Sequence, residues 1–316
     1  MGRYVIRRLL ASLIFIFVVA TAVFLIVRVL PGDPALLLLG ESGTADQATL
    51  AALRSRLGLD VPLSQQYIDW ITGIVKWDLG KSFFGANTVQ GLLSYHFPKS
   101  LELIVISLVL SALIGVALGI QAALRRGSII DVGINLLAAG GISIPVYVFG
   151  LLFVLVFAIN LRWLPANGYV EFTRDPLRHI TYLVLPVLTL SLTQWAQIVR
   201  ITRSTVLEVQ REDYVRTARA KGVPERRVIW LHVLRNALIP VITIISLQLG
   251  RSFGSMVLVE SVFNWPGLSS LLISSVTRRD LPVVQGALFL IGLLVIVINF
   301  VTDLIYGVVD PRIRYE

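Results

Sequence analysis

The sequence predicts an all-α integral membrane protein with six membrane-crossing helices and both termini in the cytoplasm. Three observations predict this class: an apolar composition, six long apolar runs, and basic residues gathered in alternate connections. Of 316 residues, 56% are hydrophobic and only 15% are charged, and the mean hydropathy is +0.80. So few charges cannot cover a water-facing surface, whereas a bilayer is itself an apolar solvent for the outside of a protein. The net charge of +9 comes from 28 Lys and Arg against 19 Asp and Glu. In a soluble protein that excess would point to nucleic acid; here its placement along the chain carries the information. With 0 Cys, the sequence excludes a disulfide framework, a thiolate nucleophile and a cysteine-type zinc cluster. His96, His179 and His232 lack metal-binding spacing. Neither a metal nor a cofactor is expected on this chain.

A crossing helix needs about 20 mostly apolar residues. The first run, 9–30, follows Arg3, Arg7 and Arg8 and is interrupted only by Arg28. It is too long for a signal peptide and ends in Pro31-Gly32-Asp33-Pro34 without a small-residue cleavage pattern, so it reads as an uncleaved span. Further runs occupy 100–124, 132–161, 180–199, 237–259 and 283–309. The third exceeds the needed length and contains Gly140, Gly141 and Pro145, which leaves tilt, kink and extension beyond the lipid all open. Asp131 and Asp303 lie near span ends, within reach of the interface.

Arg3, Arg7 and Arg8, then Arg125 and Arg126, then the segment 200–235 with nine basic and four acidic residues, then Arg312 and Arg314, all fall on one side if there are six spans. By the positive-inside rule that side is cytoplasmic. Arg162, Arg174, Arg178, Arg278 and Arg279 fall on the other side against the rule. The chain thus divides into an amino-terminal stub with the first span (1–30), an outer region (31–99), a core of five spans (100–309) containing an inner segment (204–236), and a cytoplasmic tail (310–316).

In the outer region, 45–57 has helical character with Leu50, Leu53 and Leu57 on one face, closed by Gly58. A second short helix is expected from Tyr67 to Val75, where Trp70, Ile71, Ile74 and the nearby Trp77 suit an interface. The region reads equally as a cap on the membrane surface and as a docking platform for an external partner. Gly80-Lys81-Ser82 imitates the end of a phosphate-binding loop. The required first glycine is Val75, however, and no strand precedes it. ATP hydrolysis, if it powers this protein, belongs to another chain.

The inner segment is the most informative stretch. Glu212 and Asp213 suit a helix amino end, Ala218, Arg219 and Lys221 continue it, Gly222 closes it, and Pro224 opens the next helix toward span five. The pattern alone fits two readings: a basic loop on anionic headgroups, and a short helix shaped for a groove in another protein.

Here the sequence resembles a known family. Arg216-Thr217-Ala218 followed by Gly222 is similar to the EAA loop of ABC importer permeases. The phrase Asp213-Tyr214-Val215-Arg216-Thr217-Ala218-Arg219-Ala220-Lys221-Gly222 resembles the version in dipeptide, oligopeptide, nickel and glutathione importers. Leu30-Pro31-Gly32-Asp33-Pro34, Arg235-Asn236-Ala237-Leu238-Ile239-Pro240, Val259 to Leu268 and Asp310-Pro311-Arg312-Ile313-Arg314 extend the resemblance over nearly the whole chain. The long outer segment resembles the first (B-type) permease of such systems. Arg216 and Thr217 stand where the general pattern has Glu and Ala.

The resemblance implies a type I ABC importer permease fold in the bacterial inner membrane, with no nucleic-acid partner. It further implies a second homologous permease, two cytoplasmic ABC ATPases that carry ATP and Mg, and an extracytoplasmic binding protein that delivers the solute. It gives residues 213–222 the role of the coupling helix seated in an ATPase. Peptides, nickel chelates, glutathione, opines and sugar oligomers all fit the family as cargo.

Within the spans, Arg251 between Gly250 and Gly254 is the most unusual residue. A charge at the bilayer centre costs about 2.5–3.5 kcal/mol, so it must face protein or water. It reads either as a path-lining cation or as half of a structural pair. Gln194, Gln248 and Ser252 are candidate polar lining, although Ser often bonds its own helix. Glu102 reads as an interfacial or helix-start carboxylate, and Trp163, Trp230 and Trp265 as interfacial anchors. An ion-gradient-driven secondary transporter is the alternative, but it would be expected to carry mid-span acids, which this chain lacks. An intramembrane enzyme would need catalytic groups that are likewise missing.

Overall fold

A computed structural model describes residues 2–29, 35, 36 and 47–309, with side chains for those from 5 to 304. The motifs at 30–34 and 310–314, the expected helix start at Ala45 and the side chain of Arg3 lie outside the described residues. The described helices are α1 (Gly2–Val29), α2 (Gln47–Arg56), α3 (Leu63–Lys76), α4 (Val89–Leu124), α5 (Ile129–Ser143) and α6 (Val146–Asn160). They continue with α7 (Pro176–Val209), α8 (Asp213–Ala220), α9 (Glu225–Phe263), α10 (Leu268–Arg278) and α11 (Leu281–Val309). The all-α expectation holds. α1, α4, α7, α9 and α11 are each long and apolar enough to cross a bilayer, and α5 with α6 forms a sixth candidate crossing.

That sixth crossing is bent by 102° between Ser143 and Val146. Pro145 has no N–H to continue the helical ladder, and it forces the preceding Ile144 into extended backbone at φ −92°, ψ 129°. The overlong third run is therefore a break rather than a tilt. α4, α7 and α9 extend well past the apolar runs that mark them in the sequence. α4 begins at Val89, so Glu102 is not a helix-start carboxylate.

The described residues within Met1–Ser100 and Pro266–Leu304 form one compact unit, and those within Leu101–Trp265 and from Ile305 onward form the other. In the first unit, Phe24, Trp70, Leu79, Leu93, Leu268 and Phe289 build the core. The Trp70 indole N–H donates to the Ala20 carbonyl at 3.1 Å, and its ring meets Phe289 edge-on at 5.8 Å. Ile71 and Ile74 pack against the same core, whereas Trp77 is exposed. The second short helix is longer than the expected 67–75, and Trp70, Ile71 and Ile74, expected to suit an interface, instead pack on α1 and α11. Arg28 donates to Gln66 Oε1 at 2.7 Å and lies 4.5 Å over the Phe24 ring, which satisfies a cation at the end of an apolar helix. Arg8 pairs with Asp303 at 2.7 Å, so Asp303 fixes α1 to α11.

The second unit is built on α7, which packs against α5, α6 and α9. Asp175 caps α7 by accepting from the Arg178 N–H at 3.0 Å, with Pro176 at the first helical position. Gly115 and Gly119, one turn apart on α4, let that helix approach α7. A methyl group at Gly119 would stand 2.6 Å from Thr202 Cβ and 2.9 Å from the Val199 carbonyl oxygen. Such small-residue spacing is how helices pack closely where no hydrophobic effect drives them together. Near the start of α7, His179 bonds the Val170 carbonyl at 2.6 Å and Glu102 at 2.8 Å. Trp265 meets Tyr169 edge-on at 4.7 Å and is 1% exposed. It is a core residue, not an interfacial anchor; Trp163 and Trp230 are exposed.

Gly119→Val is expected to lower the stability of the detergent-solubilised chain by about 1–3 kcal/mol, the usual cost of overpacking. Gly133→Ala, where an added methyl meets open space, is expected to leave the thermal midpoint unchanged or raised. Equal midpoints for wild type and Gly119→Val would disprove the close approach.

Candidate functional site

The inner segment folds as a helix, a tight turn and a second helix. α8 starts after Glu212 and stops at Lys221 and Gly222, which adopts φ +75°. Only glycine takes that conformation without strain. The turn closes through the Gly222 N–H to the Arg219 carbonyl at 2.9 Å and the Val223 N–H to the Ala218 carbonyl at 3.3 Å. Pro224 then opens α9, whose first turns widen into a π-helix over Val228–Leu234. Such local widening is frequent at functional sites.

α8 has two faces. Val215 and Ala218, three residues apart, are 0% and 8% exposed and pack on Val206 from α7 and Val228, Val233, Leu234 and Ala237 from α9. Burial of such a valine contributes about 1.5–3 kcal/mol. Ala218 therefore faces the chain's own core. Asp213, Tyr214, Arg216, Thr217, Arg219, Ala220 and Lys221 are exposed.

Two polar clasps complete the attachment to α9. Arg219 donates from Nη2 and Nε to Glu225 at 2.7 and 3.1 Å, bridging the Gly222 turn. The Glu225 carboxylate raises the Arg219 guanidinium above its ordinary pKa, chiefly through this hydrogen bonding. Tyr214 Oη accepts from Asn236 Nδ2 at 2.9 Å, and its hydroxyl points to the His232 carbonyl at 3.4 Å. Arg216, standing where the general pattern has an acid, has only an exposed contact of 3.6 Å with Asp213. Such a pair contributes little.

A further clasp joins α7 to α5. Arg203 binds Asp131 through two bonds of 2.6 and 2.9 Å. The carboxylate, 3% exposed, also accepts from the Gly127 N–H at 2.9 Å and Asn135 Nδ2 at 2.7 Å. Asp131 is thus buried and paired rather than at the expected interface, and its partner Arg203 is not marked by the sequence pattern. The available signal was Ser128-Ile129-Ile130-Asp131, a capping pattern; Ser128 does cap α5 by accepting from the Asp131 N–H at 3.3 Å.

The four candidate path residues separate. Gln194, Gln248 and Ser252 are buried. Gln194 Nε2 donates to Ser252 Oγ at 3.0 Å, Ser111 Oγ to Gln194 Oε1 at 3.1 Å, and Gln248 Nε2 to Gln197 Oε1 at 2.9 Å. These bonds tie α4, α7 and α9 together. Arg251 instead is exposed on α9, on the side that carries Leu247, Gly254 and Leu258. The Gly80-Lys81-Ser82 imitation offers no phosphate cradle. The Gly80, Ser82 and Phe83 N–H groups already donate to Asp78 Oδ1, the Asn87 carbonyl and Asp280 Oδ1 at 3.1, 3.1 and 3.0 Å.

Two family patterns match the sequence. Residues 115–315 match the binding-protein-dependent transport system inner membrane component. Residues 1–104 match the amino-terminal part of the binding-protein-dependent transport system membrane component. The gap between the two falls close to the junction of the compact units at Ser100 and Leu101. The di/tripeptide transport system permease protein DppB of Pseudomonas aeruginosa is 38% identical, over 99% of each chain. A protein of Sinorhizobium fredii named as a probable peptide ABC transporter permease is 39% identical, over 100% of each chain. These matches leave the secondary-transporter alternative without support. The chain belongs to the family of binding-protein-dependent transport system inner membrane components, as a multi-pass permease subunit of an ABC importer and not an enzyme.

Proposed function

We propose that this permease forms half of a path for peptides, delivered by an extracytoplasmic binding protein, and is driven through α8 by a separate ATPase. A second homologous permease supplies the other half, and two cytoplasmic ABC ATPases bind the ATP and Mg. The observation that carries the reading is the two-sided build of α8. Val215 and Ala218 anchor it inward, two polar clasps lock it to α9, and Asp213, Arg216, Thr217 and Lys221 are left for a partner. A motor can bias a two-state path only through contacts that differ between the states. A rigidly attached helix transmits such a difference, whereas a loosely tethered one would absorb it.

In this reading both termini and α8 are cytoplasmic, in keeping with the basic residues around them. Movement of α8 passes directly into α9, through α7 to which it is joined by Gln210–Glu212, and on to α5 through Arg203 and Asp131. The Gln194, Gln248 and Ser252 bonds keep α4, α7 and α9 in register, and Arg251 stands on the open side of α9 facing the second permease and the cargo. Peptide as cargo is supported by the names of the two relatives and by the match along the whole chain.

Gly222→Val is expected to leave membrane insertion intact while lowering ATP-driven uptake in proteoliposomes at least about tenfold, because a β-branched residue is strained at positive φ. Normal uptake would refute the lever. Arg219→Glu is expected to uncouple ATP hydrolysis from uptake, and the added Glu225→Arg exchange to restore coupling. No rescue in the double variant would mean that Arg219 acts on the ATPase instead of on α9. Arg251→Gln is expected to reduce uptake of acidic peptides more than that of neutral ones; equal reduction would mark Arg251 as structural.

A further inference from the structure

Between α5, α7 and α9, at the end of α7 that leads to α8, lies an open cavity of about 640 Å³. Ligand pockets run from roughly 300 to 1,000 Å³. Ile142, Ile201 and Ile244 supply its apolar wall, and Arg200, Gln197 and Asn135 its main polar groups. The polar groups are not equivalent. Arg203 also reaches the cavity but is neutralised by Asp131. Arg200 is exposed and has no acidic partner among the described residues. Gln197 uses its carbonyl to accept from Gln248 at 2.9 Å, which leaves its NH₂ as a donor. Asn135 uses its NH₂ on the Asp131 carbonyl and carboxylate at 2.7 Å each, which leaves its carbonyl as an acceptor. No acidic side chain lines the cavity among the described residues.

A planar cation with a neighbouring amide donor matches a carboxylate, and a guanidinium holds one through two parallel bonds. The free amide carbonyl and the isoleucine wall match a peptide N–H and a small aliphatic side chain. We propose that this cavity is a subsite near the α8 end of the path that receives the terminal carboxylate of a peptide, with Arg200 as its anchor and Gln197 and Asn135 as secondary contacts. The inference rests on the permease reading and adds to it a binding position and a feature of the cargo. Occupation would place a ligand between α5, α7 and α9, the three helices that the proposed lever moves, so bound product would oppose the return of the path to its outward-open state.

The test uses the complete assembly of two permeases and two ATPases in nanodiscs without nucleotide, titrated with trialanine and with trialanine amide, while uptake is followed in parallel proteoliposomes supplied with the peptide-binding protein. Trialanine is expected to bind at least about tenfold more tightly than its amide, the scale of one charge-assisted hydrogen-bonded contact. Arg200→Gln should equalise the two, and Arg200→Lys should keep part of the preference. The proposal is overturned if wild type shows no preference, or if the preference survives Arg200→Gln. It is also overturned if Arg200 affects only the dependence on phosphatidylglycerol content, which would make the anion a lipid headgroup. The wild-type comparison decides even if Arg200→Gln fails to assemble. Absence of ATP-driven uptake by wild type would strike the permease reading; normal uptake without an acid–amide difference would strike this subsite alone.

Discussion

The attachment of α8 to α9 is the constraint on which the helix–turn–helix of the second unit depends. An eight-residue helix is too short to persist by itself in water, since helix nucleation is costly and only later turns offset it. Val215 and Ala218 solve this by burial between α7 and α9. The Arg219–Glu225 pair alone, being exposed, would contribute at most about 1 kcal/mol. Its value is geometric: together with Tyr214–Asn236 it adds polar contacts to α9 beside the apolar anchor of Val215 and Ala218. The helix is thereby fastened to α9 by both apolar and polar contacts.

The same logic recurs deeper in the unit. Asp131 is buried, and an unpaired carboxylate there would be prohibitive. Arg203, the Gly127 N–H and Asn135 together satisfy it, so α5 is tied to α7 just where α7 leads toward α8. The Gln194 and Gln248 bonds perform a comparable task farther along α7 and α9. Polar groups inside an apolar bundle are held by one another because neither lipid nor water is available to them. This accounts for the inward-turned Gln194, Gln248 and Ser252; Arg251 is exposed on α9.

In the first unit the outer segment is bound to the spans by an indole and a guanidinium. Trp70 reaches the Ala20 carbonyl and Arg28 reaches Gln66. Each group carries apolar bulk with a polar end, which suits a place where a helix leaves the hydrocarbon. The segment that the sequence leaves open between a surface cap and a docking platform is thus a folded part of the unit, held to α1 and α11.

Composition and run length determined the all-helical membrane class and marked the five long apolar helices and the bent pair that is a sixth candidate crossing, because a bilayer imposes apolar length on any helix that spans it. The order of Glu212, Gly222 and Pro224 determined the helix–turn–helix at the inner segment, because caps and breakers act through backbone preferences that are local. Pro145 marked the break in the third crossing but not its 102° size, which depends on what both arms pack against. Ala218 facing inward, Trp265 in the core, Asp131 with Arg203 and the cavity beside Arg200 were decided by tertiary structure alone. Each depends on residues far apart in sequence meeting across helices, and helical periodicity fixes which residues share a face without fixing what that face will touch.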